Sequence, residues 1–189
     1  MVLYGGDTKL DTGVSQILPE RYQGAERLVK YLLSSGRRKI AFLAPSHCIS
    51  ESRYRAYCDV LQTAGISPIP IIFEEEADKN YMESGYRAMT EFLQDNPPID
   101  AVFVYNDELA IACKRAVVSS GYSVPQDVAV AGFDNISTGA YLAPPLTTVD
   151  QPLQQIVNAL IKELFATIED KDHCKFVSIP CELIVREST

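Results

Sequence analysis

The sequence predicts an α/β protein built from parallel sheets flanked by helices. Apolar runs of strand length alternate with helical stripes along all 189 residues. Several runs are continuous rather than alternating, Lys39–Ala44 most plainly, which suits strands covered on both faces. Two others, Ala101–Tyr105 and Val128–Phe133, break off into Asn106-Asp107 and Asp134-Asn135. Ligands of open parallel sheets bind beyond the carboxyl ends of the strands, so these polar ends predict a site for a small polar ligand. Nothing in them requires catalysis.

The elements follow in order. Val2-Leu3-Tyr4 reads as a strand ended by Gly5-Gly6. Glu20 to Leu33 reads as a helix, with Ala25, Leu28, Val29, Leu32 and Leu33 on one stripe and Gly36 beyond its end. Strand Lys39–Ala44 leads to a helix from about Ser50 to Ala64, stopped by Gly65. Strand Ile69–Phe73, helix Glu83–Gln94 and strand Ala101–Tyr105 come next, with Tyr86, Met82 and Met89 read as core. Helix Glu108–Ser119, ended by Gly121, precedes strand Val128–Phe133. Pro152 suits the first residue of a long helix. The stripe Leu153, Ile156, Val157, Leu160, Ile161, Leu164 and Ile168 of that helix also reads as core, and Phe176–Val185 as a closing strand.

Composition narrows the function. A net charge of −8 argues against unaided DNA binding, because phosphate contacts need a basic face. No apolar run reaches the ~18 residues of a membrane span, and the amino-terminal residues lack the signal-peptide pattern. A cytoplasmic protein without membrane contact is expected. The five cysteines are odd in number and irregularly spaced, which argues against a disulfide framework or a zinc site. His47 and His173 are far apart, and Cys48 beside His47 is poorly placed for a catalytic couple. Glu74-Glu75-Glu76 reads as a solvated acidic loop rather than a metal site. Without a glycine-rich phosphate loop, a nucleophile elbow or a metal cluster, neither enzymatic activity nor a cofactor is expected.

A series of motifs runs through the chain: Gly36-Arg37-Arg38-Lys39-Ile40-Ala41-Phe42-Leu43, Ser52-Arg53 with Tyr57, Ala64-Gly65-Ile66, Glu83-Ser84-Gly85 and Asn106-Asp107-Glu108. Val124-Pro125-Gln126-Asp127-Val128, Gly132-Phe133-Asp134-Asn135, Pro144-Pro145-Leu146-Thr147-Thr148-Val149 and Gln151-Pro152 continue it, and Glu182–Thr189 closes it. In these, and over nearly its whole length, the chain resembles the effector-binding domain of the lac repressor/gal repressor (LacI/GalR) family of bacterial transcription regulators. The resemblance implies a two-lobed, periplasmic-binding-protein-like fold of parallel sheets flanked by helices, with the first lobe incomplete. Residues 1–44 and 150–172 are expected in that partial lobe, and 45–149 and 173–189 in the second. The family's helix-turn-helix segment is missing, so an amino-terminally truncated piece of a regulator is expected.

The implied function is the sensing of a small effector, a sugar or sugar derivative, in the cleft between the lobes. A purine or nucleoside is the minority option. Binding would shift the lobes and change operator affinity reciprocally. Operator DNA would be contacted only through the absent helix-turn-helix domain. A homodimer is expected, with helix 108–119 and Thr138–Leu142 as interface candidates. The alternative is a solute-binding receptor of a sugar uptake system, which shares the fold but needs export. A sensor joined to another type of DNA-binding domain, as in some arabinose regulators, also fits.

The resemblance places Arg53 in the cleft as a donor to hydroxyls, a carboxylate or a phosphate, where its fixed fork of N–H groups suits it. Arg55 competes for that assignment. Asp134 matches the family's acceptor of ligand hydroxyls, although aspartate is also common in turns and caps. Asn106 can donate and accept, and is assigned to the ligand, with Asp107 as the cap of the following helix. Gln151, in the hinge segment, matches a residue that touches ligand. An aromatic wall is expected between Phe73 and Tyr81. The family's aromatic falls at Asn80 here, five residues before Gly85, which leaves Tyr81 as the candidate.

Overall fold

The computed structural model describes residues 1–6, 10–11, 13–49, 51–74, 80–95 and 99–189. The readings placed on Ser50, Glu75 and Glu76 lie outside these. The described elements are β1 (Val2–Tyr4), β2 (Ser15–Pro19), α1 (Arg21–Ser34), β3 (Ile40–Pro45), α2 (Ser52–Thr63), β4 (Ile69–Phe73) and α3 (Tyr81–Asp95). They continue as β5 (Ala101–Val104), α4 (Asp107–Ser119), β6 (Ala129–Ala131), β7 (Thr148–Asp150), α5 (Leu153–Glu169), β8 (Phe176–Ile179) and β9 (Glu182–Ile184).

The main sheet is parallel, in the order β4-β3-β5-β6. Its central strand β3 shows why an unbroken apolar run is needed. Ile40, Phe42 and Ala44 face one layer with Leu28, Val29 and Leu32 of α1 and Tyr57 and Leu61 of α2. Ala41 and Leu43 face the other, with Met89 and Leu93 of α3 and Leu109 and Val117 of α4. Alternate side chains therefore enter two different cores. Tyr57 fastens one of them, its hydroxyl donating to the Ile40 carbonyl and accepting from the Ile69 N–H.

A second parallel sheet has the order β1-β2-β8, and β7 pairs antiparallel with β9. The expected lobe boundaries do not follow the sheets. Strand β3, expected to end the first lobe, is central in the four-stranded sheet, and α1 packs on α2. Segment Phe176–Val185 is two strands, not one: β8 joins β2, then Pro180 interrupts and β9 turns to β7. Proline has no N–H to carry a ladder on, so the chain changes sheets there. Close packing of α1 against β7 depends on Gly24, where a Cβ would stand 2.8 Å from Val149 Cγ1 and 2.9 Å from Cys181 Cβ.

The α5 stripe read as core is largely exposed. Ile156 is buried with Ile17 and Ile179, but Leu153, Ile161, Leu164, Phe165 and Ile168 face outward. The three short strands cover one flank of the helix and leave the rest without a neighbouring surface. At the far end of α5 the buried Glu163 carboxylate pairs with His173 Nε2 at 2.6 Å. The edge of β6 is closed by the carboxyl-terminal residues. Val130 N–H donates to the Ser188 carbonyl, and the Ser188 hydroxyl donates to the Val130 carbonyl.

Candidate functional site

Strands β3, β5 and β6 are parallel, so their carboxyl ends lie along one edge of the sheet. The backbone turns sharply there after Phe133. Asp134 has φ 107° and Asn135 φ 54°, left-handed values that aspartate and asparagine tolerate best among non-glycine residues. Three contacts hold the turn. Asp134 N–H donates to the Val149 carbonyl at 2.8 Å, Asn135 Nδ2 to Asp150 Oδ1 at 3.0 Å, and Arg186 Nη2 to Asn135 Oδ1 at 2.7 Å.

Arg53, in the first turn of α2, reaches this edge and is only 6% exposed. Its guanidinium carbon stands 3.7 Å from the centre of the Tyr105 ring and 5.0 Å from that of Phe133, a stacked, cation–π arrangement. Nη1 donates to the Tyr105 carbonyl and Nη2 to Glu51 Oε2, both at 2.9 Å. Nη1 is also 4.0 Å from Asp134 Oδ1. Among the described residues Nε has no hydrogen-bond partner. Arg55, the competing arginine, is exposed and lies over Tyr22.

Gln151 connects the two sheets. Its Nε2 donates to Asp134 Oδ1, and its Oε1 accepts from Arg21 Nε at 2.9 Å, at the start of α1 beyond β2. Burial pushes the Asp134 carboxyl above the usual carboxylate range, against the lowering influence of the Gln151 amide, Arg53 and Arg21. Beside this network is a cavity of about 460 Å³, lined by Pro19, Glu20, Arg21 and Ser178 on one side and Ser52, Arg55 and Asp59 on the other.

The cap expected at Asp107 falls to its neighbour. Asn106 is itself the cap of α4, its Oδ1 accepting from Leu109 N–H at 2.9 Å. Asp107 is fully buried, accepting from the Thr148 hydroxyl at 2.6 Å and the Ile136 N–H at 2.9 Å. Gly132 makes room for it: a Cβ there would meet Asp107 Oδ1 at 2.1 Å. Burial pushes the Asp107 carboxyl up to about 6, opposed by those two hydrogen bonds. Asn106 still adjoins the site through Tyr105, and its Nδ2 has no protein partner among the described residues.

Arg53, Asp134 and Gln151 are thus brought together by direct contacts, with Asn106 at their margin. Tyr81 begins α3 and packs its ring against Phe73, 6.1 Å between centres, as part of the core on the α3–α4 side. Sequence reasoning missed Glu51, Tyr105 and Arg21. Glu51 and Tyr105 were signalled by proximity, two residues before Arg53 and one before Asn106. Arg21 reaches Gln151 across 130 residues, and no local pattern announces such a contact.

Residues 29–189 match the periplasmic-binding-protein-like domain family. The HTH-type transcriptional repressor PurR of Mannheimia succiniciproducens is 30% identical over all of this chain, which corresponds to 56% of that protein. The chain spans about half the length of the curated relatives it matches. A LacI-family transcriptional regulator of an Arthrobacter strain, solved in complex with lactose, superposes with a TM-score of 0.85 at 26% identity. That match covers 100% of this chain and 69% of the other. A periplasmic binding protein/LacI transcriptional regulator of Alkaliphilus metalliredigens, complexed with D-xylulofuranose, gives 0.82 at 26% identity, covering 100% and 70%.

Proposed function

Because the chain belongs to the periplasmic-binding-protein-like domain family, as carried by LacI-type transcription regulators, we propose that it is the effector-sensing and dimerising part of such a regulator. The observation that carries this reading is the network Arg21–Gln151–Asp134 with Arg53 beside it. It ties the end of the small sheet to the end of the large one at a turned backbone. A polar ligand seated there would bind the Arg53 guanidinium and the Asp134 carboxylate, with Asn106 Nδ2 and Gln151 at the margin and Tyr81 supplying a wall.

Competition for Gln151 and Asp134 gives the effector its leverage. A ligand that takes either group changes the bonding between the sheets, and with it their preferred pose. A pose change alters operator binding only through differential affinity for the two poses. The effector is a carbohydrate, as in the two related complexes. Operator DNA is read in the cytoplasm by a helix-turn-helix domain attached to this sensor, and the acidic sensor makes no DNA contact. Two copies pair through the exposed side of α4 and residues 137–141, where Val118 and Tyr141 are uncovered. The regulator names of the relatives favour this reading over an uptake receptor, and no catalytic step is assigned to the site.

Arg53→Ala and Asp134→Ala in the full regulator test it. Each loses a charged hydrogen bond, so the effector concentration for half response rises by ~10-fold to 100-fold; effector-free operator affinity stays put in Arg53→Ala and shifts in Asp134→Ala, which also loses the Gln151 bond between the sheets. An unaltered dose response in both variants would sink the assignment.

A further inference from the structure

Arg53 brings a buried positive charge to the site, and a carboxylate already answers it. Glu51, just ahead of α2, places Oε2 2.9 Å from Nη2. It is held there independently, because the Tyr105 hydroxyl donates to both of its oxygens at 3.0 Å. The same Tyr105 ring lies against the guanidinium, so arginine, carboxylate and ring form one fixed unit. Across the site Arg21 bonds to Gln151, and Asp134 stands 4.0 Å from Arg53. With the cavity lining included, the guanidiniums of Arg21, Arg53 and Arg55 face the carboxylates of Glu20, Glu51, Asp59 and Asp134, and Glu108 adds negative potential at Asp134.

Two of the Arg53 donors are committed in the same sense. A carboxylate or phosphate is gripped by arginine through two parallel N–H bonds. Here Nη1 is bound to the Tyr105 carbonyl and Nη2 to Glu51, so one N–H on each terminal nitrogen is already taken. A donor beside the Asp134 carboxylate suits a pair of neighbouring hydroxyls, one accepting and one donating. An anion would meet Asp134 and Glu51 at short range, with one side of the Arg53 fork already occupied by Glu51.

Resting on the cleft as the effector site, we infer that Glu51 sets the charge of the ligand: it neutralises Arg53, so the site takes an uncharged polyhydroxyl compound and turns away sugar acids and sugar phosphates. Glu51 is therefore a specificity-determining residue that sequence motifs do not mark.

The test is calorimetric titration of the full regulator with neutral pentoses, hexoses and disaccharides, each paired with its uronic acid or phosphate. A neutral member should bind at least ~100-fold tighter than its acidic counterpart. Glu51→Gln, which still accepts from Tyr105, should shrink that ratio by ~10-fold or more, whereas Glu51→Asp preserves it. An acid or phosphate binding more tightly than its neutral partner overturns the inference from the wild type alone, even if Glu51→Gln fails to fold. So does an unchanged ratio in folded Glu51→Gln. In both cases loss of binding in Arg53→Ala leaves the effector site standing. Binding of no panel member, or binding that ignores Arg53→Ala and Asp134→Ala, removes the effector site and this inference together.

Discussion

Around the four-stranded sheet, Ile40 to Ala44, Phe103 and Phe133 are fully buried, with α1 and α2 on one face and α3 and α4 on the other. Around the three-stranded sheet the buried apolar group is Ile17, Ile156 and Ile179, and α5 leaves Phe165 60% and Ile168 68% exposed. The α5 sequence is at least as apolar as that of the buried helices. What differs is the surface available to it. A periodic stripe records what a helix would gain from burial, and a partner surface decides whether burial occurs.

The largest effect that separates the two regions should come from Phe103→Ala. Phe103 is 0% exposed, with its ring edge-on to Phe42 and stacked with Phe133, so truncation costs ~3–5 kcal/mol in urea-unfolding experiments. A cost below about 1 kcal/mol would mean that the large core tolerates voids as the small one does.

Next is a pH effect confined to the large-sheet region. The Asp107 carboxyl, raised from 3.8 to about 6 by burial, holds its proton more tightly folded than unfolded. Its contribution to stability is then fullest below about pH 4 and falls as pH rises through about 6, by on the order of 3 kcal/mol. Subtracting the stability profile of Asp107→Asn from that of the wild type isolates this slope. A flat difference between pH 4 and 7 would show that its hydrogen bonds offset the burial.

The smallest effect should be Phe165→Ser on α5. Exposed positions away from special features change stability within about 0.5 kcal/mol. Concentration-dependent self-association of the chain should fall, because an exposed apolar face attracts its own kind. A loss comparable to that of Phe103→Ala would show that the two regions are equally well packed.

The sequence carried the strands of the large sheet because two-sided burial writes an unbroken apolar run, as in Ile40–Ala44. It did not carry strand neighbours. Nothing in Phe176–Ile179 says that its partner is β2, and the meaning of Pro180 as a crossing between sheets depends on where both flanks go. The polar strand ends marked the place where Arg53, Asp134 and Gln151 meet. Asn106 and Asp107 both cap well, and the cap expected at Asp107 lies at Asn106 instead. The choice is made by the space beside Gly132, which admits the Asp107 carboxylate. Glu51 escaped notice because its importance lies in the orientation of Tyr105, which no motif encodes.

The closure of β6 by Ser188 has a consequence for how the protein is made. Val130 waits 58 residues for the Ser188 hydroxyl that donates to its carbonyl, and Thr147 N–H also binds that oxygen. During synthesis the four strands of the large sheet emerge well before it, and the nascent sheet is left with an open edge, the kind of surface that pairs with other chains. Residues 186–189 act as a latch that arrives after the strands it closes. Trimming them should leave every strand of the large sheet present and its border held only by the contacts of Thr147 with Ala131 and Gly132.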